Sequence, residues 1–213
     1  MPFDPNQLSF INPELFDGPI VAVGGDLSAP RIWLAYHSGI FPWFNEGEEI
    51  LWWCPDPRCV LYPDKLKISK SMQKILRNGD FTFTENQCFK QVIRECRKIK
   101  RVGQDGTWIS NDIIKAFTTL NKSGFVKSYE AWQNGELVGG FYGIWVGKIF
   151  CGESMFSKVS NASKAAFINF VQTQKDNIEI IDCQVHTDHL ESLGAEMISK
   201  KEYLNILKHN NEL

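Results

Sequence analysis

Three polar residues at the ends of two apolar runs are the groups of this chain best suited to chemistry. Glu153 follows the apolar residues 144–151, where a desolvated carboxylate needs a partner. The second run, residues 178–184, carries Asp182 and Gln184 two positions apart, so a strand would turn both side chains to one face. If the two runs are neighbours, the three groups converge, as proton transfer and substrate positioning require. Satisfied structural carboxylates remain the alternative.

Composition limits the class of protein. The chain has 213 residues, of which 43% are hydrophobic and 13% aromatic, enough for the core of one large or two small domains. No stretch approaches the roughly 18 apolar residues of a membrane span, and the first residues lack the regions of a signal peptide. We therefore expect a globular, cytoplasmic protein without membrane contact.

The cysteines favour neither a disulfide framework nor a zinc site. None of the six lies in a Cys-x-x-Cys pair, and most stand in apolar runs, so we expect free buried thiols. Zinc favours Cys or His ligands at short spacing, and the close histidine pair is His186 and His189, at the start of a predicted helix. We expect no metal there.

The net charge of −2 hides two basic clusters. Each can be an ordinary solvated helix face or a phosphate-binding patch, and the sequence leaves both interpretations open. The members of the clusters are Lys65, Lys67, Lys70, Lys74 and Arg77 in the first, and Arg94, Arg97, Lys98, Lys100 and Arg101 in the second.

The local patterns predict a mixed α+β protein. Ser28 is a candidate N-cap for a helix over residues 29–37, and Asn134-Gly135 predicts a hairpin turn between strands 128–132 and 137–145. Further helices are predicted over residues 69–77, 86–98, 111–121 and 161–175. Further strands are predicted over residues 50–54, 59–62, 81–84, 149–152 and 179–183. We place a domain boundary at Pro63-Asp64.

Several motifs resemble those of one family. The string Gly-Glu-Ser-Met-Phe-Ser at 152–157, Asp-Cys-Gln at 182–184 and Ser-Leu-Gly-Ala at 192–195 resemble the leucyl/phenylalanyl-tRNA-protein transferase family. The N-terminal third is also similar to that family, in Val-Gly-Gly-Asp-Leu-Ser at 23–28, Ala-Tyr at 35–36, Gly-Ile-Phe-Pro-Trp-Phe at 39–44 and Ile-Leu-Trp-Trp-Cys-Pro-Asp-Pro-Arg at 50–58.

The resemblance implies a fold with two parts. These are a small N-terminal α/β domain, residues 1–63, and an acetyltransferase-like (GNAT) mixed-sheet domain, residues 64–213. Acetyltransferases of that fold hold coenzyme A on a glycine-rich turn at a helix N-terminus. Here the corresponding turn, residues 157–163, contains no glycine, so we expect the fold without the coenzyme and without any other cofactor.

The resemblance also implies a reaction. Such enzymes transfer Leu, Phe or Met from the 3′ end of aminoacyl-tRNA to the α-amino group of proteins that begin with Arg or Lys, and so mark them for N-degron proteolysis. We expect a monomer that contacts the tRNA acceptor stem. Two alternatives are an aminoacyl-tRNA-dependent ligase acting on a cell-wall precursor and an inert module that binds tRNA or N-terminal peptides.

Roles for the polar groups follow from the same resemblance. Asp182 and Gln184 orient the acceptor amine and help to deprotonate it, with Gln184 as a hydrogen-bonding group because an amide is not a base. Glu153 binds the amino group of the donor, holds the acceptor, or does both. In a rival mechanism the 2′-hydroxyl of the terminal ribose takes the proton.

The substrate-binding residues match family positions of two kinds. An apolar donor pocket is predicted from Phe141, Met155, Phe170 and Ile181, although any such set can be plain core. A stacking platform for the terminal adenosine is predicted from Trp52, Trp53 and Trp108. Because adjacent strand residues face opposite sides, one of the first two belongs to the core.

Overall fold

A small sheet and one helix form the N-terminal part. The computed structural model describes residues 9–99 and 107–211. After a short 3-10 helix, Pro13–Leu15, come β1 Ile20–Val23, α1 Ala29–His37, β2 Phe41–Pro42 and β3 Leu51–Trp53. The antiparallel order β1-β3-β2 places β3 in the middle of this sheet. Helix α1 has the bounds that the sequence predicts.

A seven-stranded sheet forms the larger part. Its strands are β4 Arg58–Leu61, β5 Thr82–Glu85, β6 Val126–Gln133, β7 Glu136–Val146, β8 Ile149–Ser157, β9 Ile180–Gln184 and β10 Glu196–Ile198. They lie in the order β10-β4-β9-β8-β7-β6-β5, with β8 and β9 parallel and every other pair antiparallel. The predicted mixed α+β organisation is confirmed. Strand β4 precedes the predicted boundary at residue 63 yet belongs to this larger sheet, and the boundary itself stays a prediction.

The hairpin of β6 and β7 follows from its turn residues. Asn134 and Gly135 have φ angles of 53° and 79°, the left-handed pair that a tight two-residue turn requires. The turn fixes the register of β6 against β7, and it continues the meander into β8. Both strands are longer than the predicted ones.

Helices cover both faces of the larger sheet. They are α2 Lys70–Asn78, α3 Phe89–Lys98, α4 Asn111–Lys122, α5 Ala162–Gln174, α6 Asp188–Ser192 and α7 Lys200–Asn211. Helices α3 and α4 contribute to one apolar core together with α1, while α2 and α5 contribute to a second. The prediction that α3 begins at Asn86 is wrong, because Asn86 has a left-handed φ of 56°. No helix in the described ranges has the length and apolarity that crossing a membrane requires.

The parallel pair β8 and β9 separates part-way along its length. Pairing runs from Ile149 opposite Ile180 to Cys151 opposite Asp182. Beyond that point β8 continues to Ser157 along β7, whereas β9 bulges against β4 between Cys59 and Val60. The sheet therefore opens between two neighbouring strands, and Glu153 and Gln184 lie just past the opening.

Candidate active site

A cavity of about 650 Å³ lies at the opening between β8 and β9. The polar side chains of Glu153 and Gln184 line one part of it, and apolar side chains of a single packed cluster line another part, the apolar end. The remaining walls come from the loop after β2 and from the segment that leads into α6. The lining also includes Phe41, Trp43, Trp108, Phe141, Phe150, Met155, Phe167, Ile181, Asp182 and His186.

Glu153 is held by two donors on a single oxygen. Tyr36 of α1 donates its hydroxyl to Glu153 Oε1 at 2.6 Å, and the Gln184 side-chain amide donates to the same atom at 2.8 Å. Burial raises the pKa of Glu153 to about 8. The two hydrogen bonds lower this pKa and the charge of Asp182 raises it, so burial is the dominant cause.

Asp182 lies in a separate, fully buried network. Arg58 of β4 binds it through two parallel bonds, Nε to Oδ1 at 2.8 Å and Nη2 to Oδ2 at 2.6 Å. Tyr203 of α7 donates its hydroxyl to Oδ2 at 2.9 Å. The guanidinium group also lies over the rings of Phe41 and Tyr203, 4.8 and 4.4 Å from their centroids.

The backbone of Gln184 connects the two carboxylates. Gln184 has a φ of 64°, in the left-handed region that costs a non-glycine residue about 1–3 kcal/mol. Its N–H donates to Asp182 Oδ1 at 2.9 Å, which helps to hold this conformation. Of the three groups expected to converge, Glu153 and Gln184 meet through their side chains, whereas the Asp182 carboxylate binds Arg58, Tyr203 and the Gln184 backbone. The left-handed conformation of Gln184 at the end of β9 brings it to Glu153, and regular strand alternation does not.

The apolar end of the cavity contains three of the four residues predicted for the donor pocket. Phe141, Met155 and Ile181 line it, together with Phe150 and Phe167, which the sequence did not single out. Phe170 packs behind them, with its ring centroid 4.6 Å from that of Phe150 and 4.3 Å from that of Tyr129. The structure therefore places Phe170 in the layer under the pocket.

The tryptophans are arranged differently from the prediction. Trp52 is fully buried, and its Nε1 donates to Gly24 O at 2.9 Å, so no base can stack on it in this conformation. Trp53 lies outside the cavity lining and donates to Trp43 O at 2.6 Å. Trp43 and Trp108 form the aromatic wall. The motif at residues 39–44 was the signal for Trp43.

The basic clusters differ in how many of their charges are paired. Lys65 bonds Glu196, Lys98 bonds Glu95, and Arg97 contacts Glu46 and Asn111. Over residues 9–99 and 107–211, no ion pair involves the exposed side chains of the remaining described members, Lys67, Lys70, Lys74, Arg77 and Arg94. Lys100 and Arg101 lie outside the described residues.

The close histidine pair lies at or near the surface, and the cysteines are mostly buried. His186 contacts Glu191 at 2.8 Å, and with Asp188 these two present side-chain ligand atoms within 4.8 Å of one another at exposed positions. His189 is half-buried, and burial lowers its pKa. All six cysteines are free; Cys54, Cys59, Cys96 and Cys151 are buried, as predicted, whereas Cys88 and Cys183 are only half-buried.

The sequence did not assign a role to Tyr36, Arg58 or Tyr203. The first two stand in motifs that carried the resemblance, but each binds a group more than a hundred positions away, Tyr36 to Glu153 and Arg58 to Asp182. With a carboxylate, an amide and an apolar pocket in its lining, the cavity is the candidate active site, of the kind expected in an enzyme that acts on a partly apolar substrate.

Comparison with known proteins shows the family of this chain. The sequence profile described as leucyl/phenylalanyl-tRNA protein transferase matches residues 60–208, and that of the family's N-terminal domain matches residues 25–56. A leucyl/phenylalanyl-tRNA–protein transferase of Flavobacterium johnsoniae is 59% identical, covering 89% of this chain and 90% of the relative. One of Flavobacterium psychrophilum is 49% identical, covering 98% and 100%.

Among solved structures, one similar chain is a conserved protein of unknown function from Bacteroides thetaiotaomicron. It is 12% identical with a TM-score of 0.46, and the match covers 64% of this chain and 53% of that one. This similarity is too distant to inform on the site. The sequence matches are decisive. This chain belongs to the leucyl/phenylalanyl-tRNA protein transferase family.

Proposed function

We propose that this enzyme transfers Leu, Phe or Met from aminoacyl-tRNA to the α-amino group of proteins that begin with Arg or Lys. The observation that carries the proposal is the meeting of Glu153 and Gln184 beside an apolar pocket, in a chain of this family. The parallel strands β8 and β9 that separate around the site also support an acetyltransferase-like (GNAT) fold for the larger part.

The reaction requires the enzyme mainly to position the two substrates. An aminoacyl ester is already activated, so the enzyme has to hold the acceptor amine about 3–3.5 Å from the ester carbonyl and move one proton. The apolar end takes the donor side chain, the wall of Trp43 and Trp108 takes the terminal adenosine, and the polar end takes the two amino groups. No cofactor enters this scheme.

A transfer assay tests the proposal directly. Labelled Leu-tRNA is incubated with the enzyme and with three otherwise identical acceptor proteins that begin with Arg, Lys or Ala. Label should enter the first two and not the third. Binding of tRNA without transfer would indicate an inert module, and transfer only to a cell-wall precursor would indicate a ligase of another type.

Met155 should control the shape of the donor pocket. Its side chain lines the cavity from β8, and one methylene there is worth about 1–3 kcal/mol. We expect the pocket entrance beside Met155 to exclude the stiff, branched Cβ of Ile, so Met155→Ala should lower Leu transfer and raise Ile transfer relative to Leu.

Competition between Leu-tRNA and Ile-tRNA measures the ratio for the Met155 variant. The matched control is Met72→Ala, the same change at a buried methionine of α2 outside the cavity, which should leave the ratio unchanged. A ratio that stays constant in both variants would place Met155 in the core.

Helix α2 should carry the stronger tRNA contact. Lys70, Lys74 and Arg77 stand at i, i+4 and i+7 on one exposed face, while Met72 is buried beneath it. Replacing these three cations by Gln should weaken tRNA binding and reduce the slope of log K against log salt by about one for each phosphate that the variant no longer binds.

The matched control for α2 is the double variant Lys65→Gln with Lys98→Gln, which removes cations that already have carboxylate partners. Its slope should stay close to that of the unaltered enzyme. A slope that falls in the control and not in the α2 variant would assign tRNA binding to the other cations.

A further inference from the structure

The two carboxylates at the site differ in what remains open to a substrate. Asp182 is fully buried, and each of its oxygens accepts two hydrogen bonds: Oδ1 from Arg58 and the Gln184 backbone, Oδ2 from Arg58 and Tyr203. A carboxylate has about four lone-pair positions in all. Asp182 therefore has no position left with which to take a proton from an amine.

Glu153 has the opposite arrangement. Both of its donors, Tyr36 and Gln184, bind Oε1, and no hydrogen bond to Oε2 is found in the described part of the chain. Glu153 lines the cavity beside the donor pocket. Its second oxygen is thus the carboxylate atom at the site that can meet an incoming amine.

We infer that Glu153 is the proton acceptor of the transfer reaction, and that Asp182, Arg58 and Tyr203 are positioning residues that act through Gln184. The inference rests on the proposed function. Arg58 and Tyr203 fix Asp182, Asp182 fixes the left-handed backbone of Gln184, and Gln184 fixes Glu153.

The reaction balances with this one group. The acceptor nitrogen attacks the ester carbonyl, a C–N bond forms, and Glu153 Oε2 takes the proton that the nitrogen loses. The C–O bond to the 3′-oxygen of the terminal ribose then breaks, and the protonated Glu153 returns the proton to that oxygen. The products are a peptide bond and a free 3′-hydroxyl, with Glu153 ionised again.

The surroundings of Glu153 suit this role. Burial brings its pKa to about 8, close to the value of about 7.7–8.0 for an α-amino group, and proton transfer is efficient between groups so matched. The titratable and charged groups around it are Tyr36 on α1, Arg58 on β4, Cys151 on β8 and Asp182 on β9. His186, which lines the cavity, adds a further titratable group.

The test compares kcat against pH, at saturating donor and acceptor, for the unaltered enzyme and for Glu153→Gln, Asp182→Asn and Tyr203→Phe. The amino groups of the substrates titrate alike in all four, so differences between profiles report the enzyme. Glu153→Gln should lose at least about 100-fold in kcat, and the loss should grow as pH rises from 6 to 8.5. Asp182→Asn and Tyr203→Phe should be slower with profiles parallel to that of the unaltered enzyme.

Three results would overturn the inference. They are a Glu153→Gln profile parallel to that of the unaltered enzyme, an Asp182→Asn profile that loses its pH dependence, and a Glu153→Gln effect confined to the donor KM. Absence of transfer by the unaltered enzyme contradicts the proposed function instead. If Glu153→Gln does not fold, the variant Tyr36→Phe tests the inference instead. It removes a hydrogen bond that lowers the pKa of Glu153, so the kcat profile should shift to higher pH. An unshifted profile would argue against Glu153 as the proton acceptor.

Discussion

Arg58→Met should lower the free energy of unfolding by about 3–5 kcal/mol, because it leaves Asp182 as a buried charge without its cation. The side chains of both partners are almost completely buried, so no water replaces the missing hydrogen bonds. Tyr203 and the Gln184 backbone remain as donors to Asp182, but neither carries a charge. Urea unfolding at pH 7 measures the difference.

A double variant separates the effect of charge from that of packing. Arg58→Met with Asp182→Leu removes both ions and should be more stable than Arg58→Met alone, since an apolar replacement of a buried pair is often neutral. The control is Arg97→Met, a partly exposed ion pair with Glu46, which should change stability by about 0–1 kcal/mol. If Arg58→Met and Arg97→Met are equally mild, the buried pair does not hold the site together.

Local signals in the sequence were enough to predict the framework of the site. The Asn134-Gly135 turn, the bounds of α1 and the apolar runs that became β8 and β9 depend on neighbours within a few positions. Such patterns act through backbone preference and period, which a single sequence displays. That Glu153 and Gln184 would lie on neighbouring strands was predictable, because both runs have the pattern of strands, but the backbone conformation that brings their side chains together was not.

The partners of the two carboxylates were not predictable in the same way. Arg58 is 124 positions from Asp182, and Tyr36 is 117 positions from Glu153. No local pattern encodes which strand lies beside β9 or which helix packs over β8. The left-handed φ of Gln184 is similarly a consequence of its bond to Asp182 and of the bulge against β4, and an alternating pattern predicts an ordinary strand there.

The aromatic wall shows how strand pairing changes an assignment. A Trp-Trp dipeptide predicts one residue inside and one outside, which fits the buried Trp52 and the half-buried Trp53. Because β3 lies between β1 and β2, its half-buried residue Trp53 packs beside Trp43, which follows β2 directly and lines the cavity. The sheet order, which the sequence alone does not fix, decides which ring lines the cavity.

Glu153→Gln should make the protein more stable, and more so as the pH rises. The ordinary carboxyl pKa of about 4.3 applies to the unfolded chain, and burial raises the folded value to about 8. Between these values the folded state retains a proton that the unfolded state has released, so stability falls with rising pH by up to about 1.4 kcal/mol per unit. Glutamine has no such proton, and its amide oxygen can still accept from Tyr36 and Gln184.

The stability difference between Glu153→Gln and the unaltered enzyme should therefore be small near pH 4.5 and grow to on the order of 3 kcal/mol by pH 8, then level off. The ideal value of about 5 kcal/mol is reduced because the carboxyl group faces the cavity. Urea unfolding at five pH values between 4.5 and 9 measures it. Ser154→Ala, which changes a group without charge in the same cavity, should shift stability by an amount independent of pH. A constant difference for Glu153→Gln would mean that the folded state does not raise the pKa of Glu153, and the enzyme would then lack the matched proton acceptor at its active site.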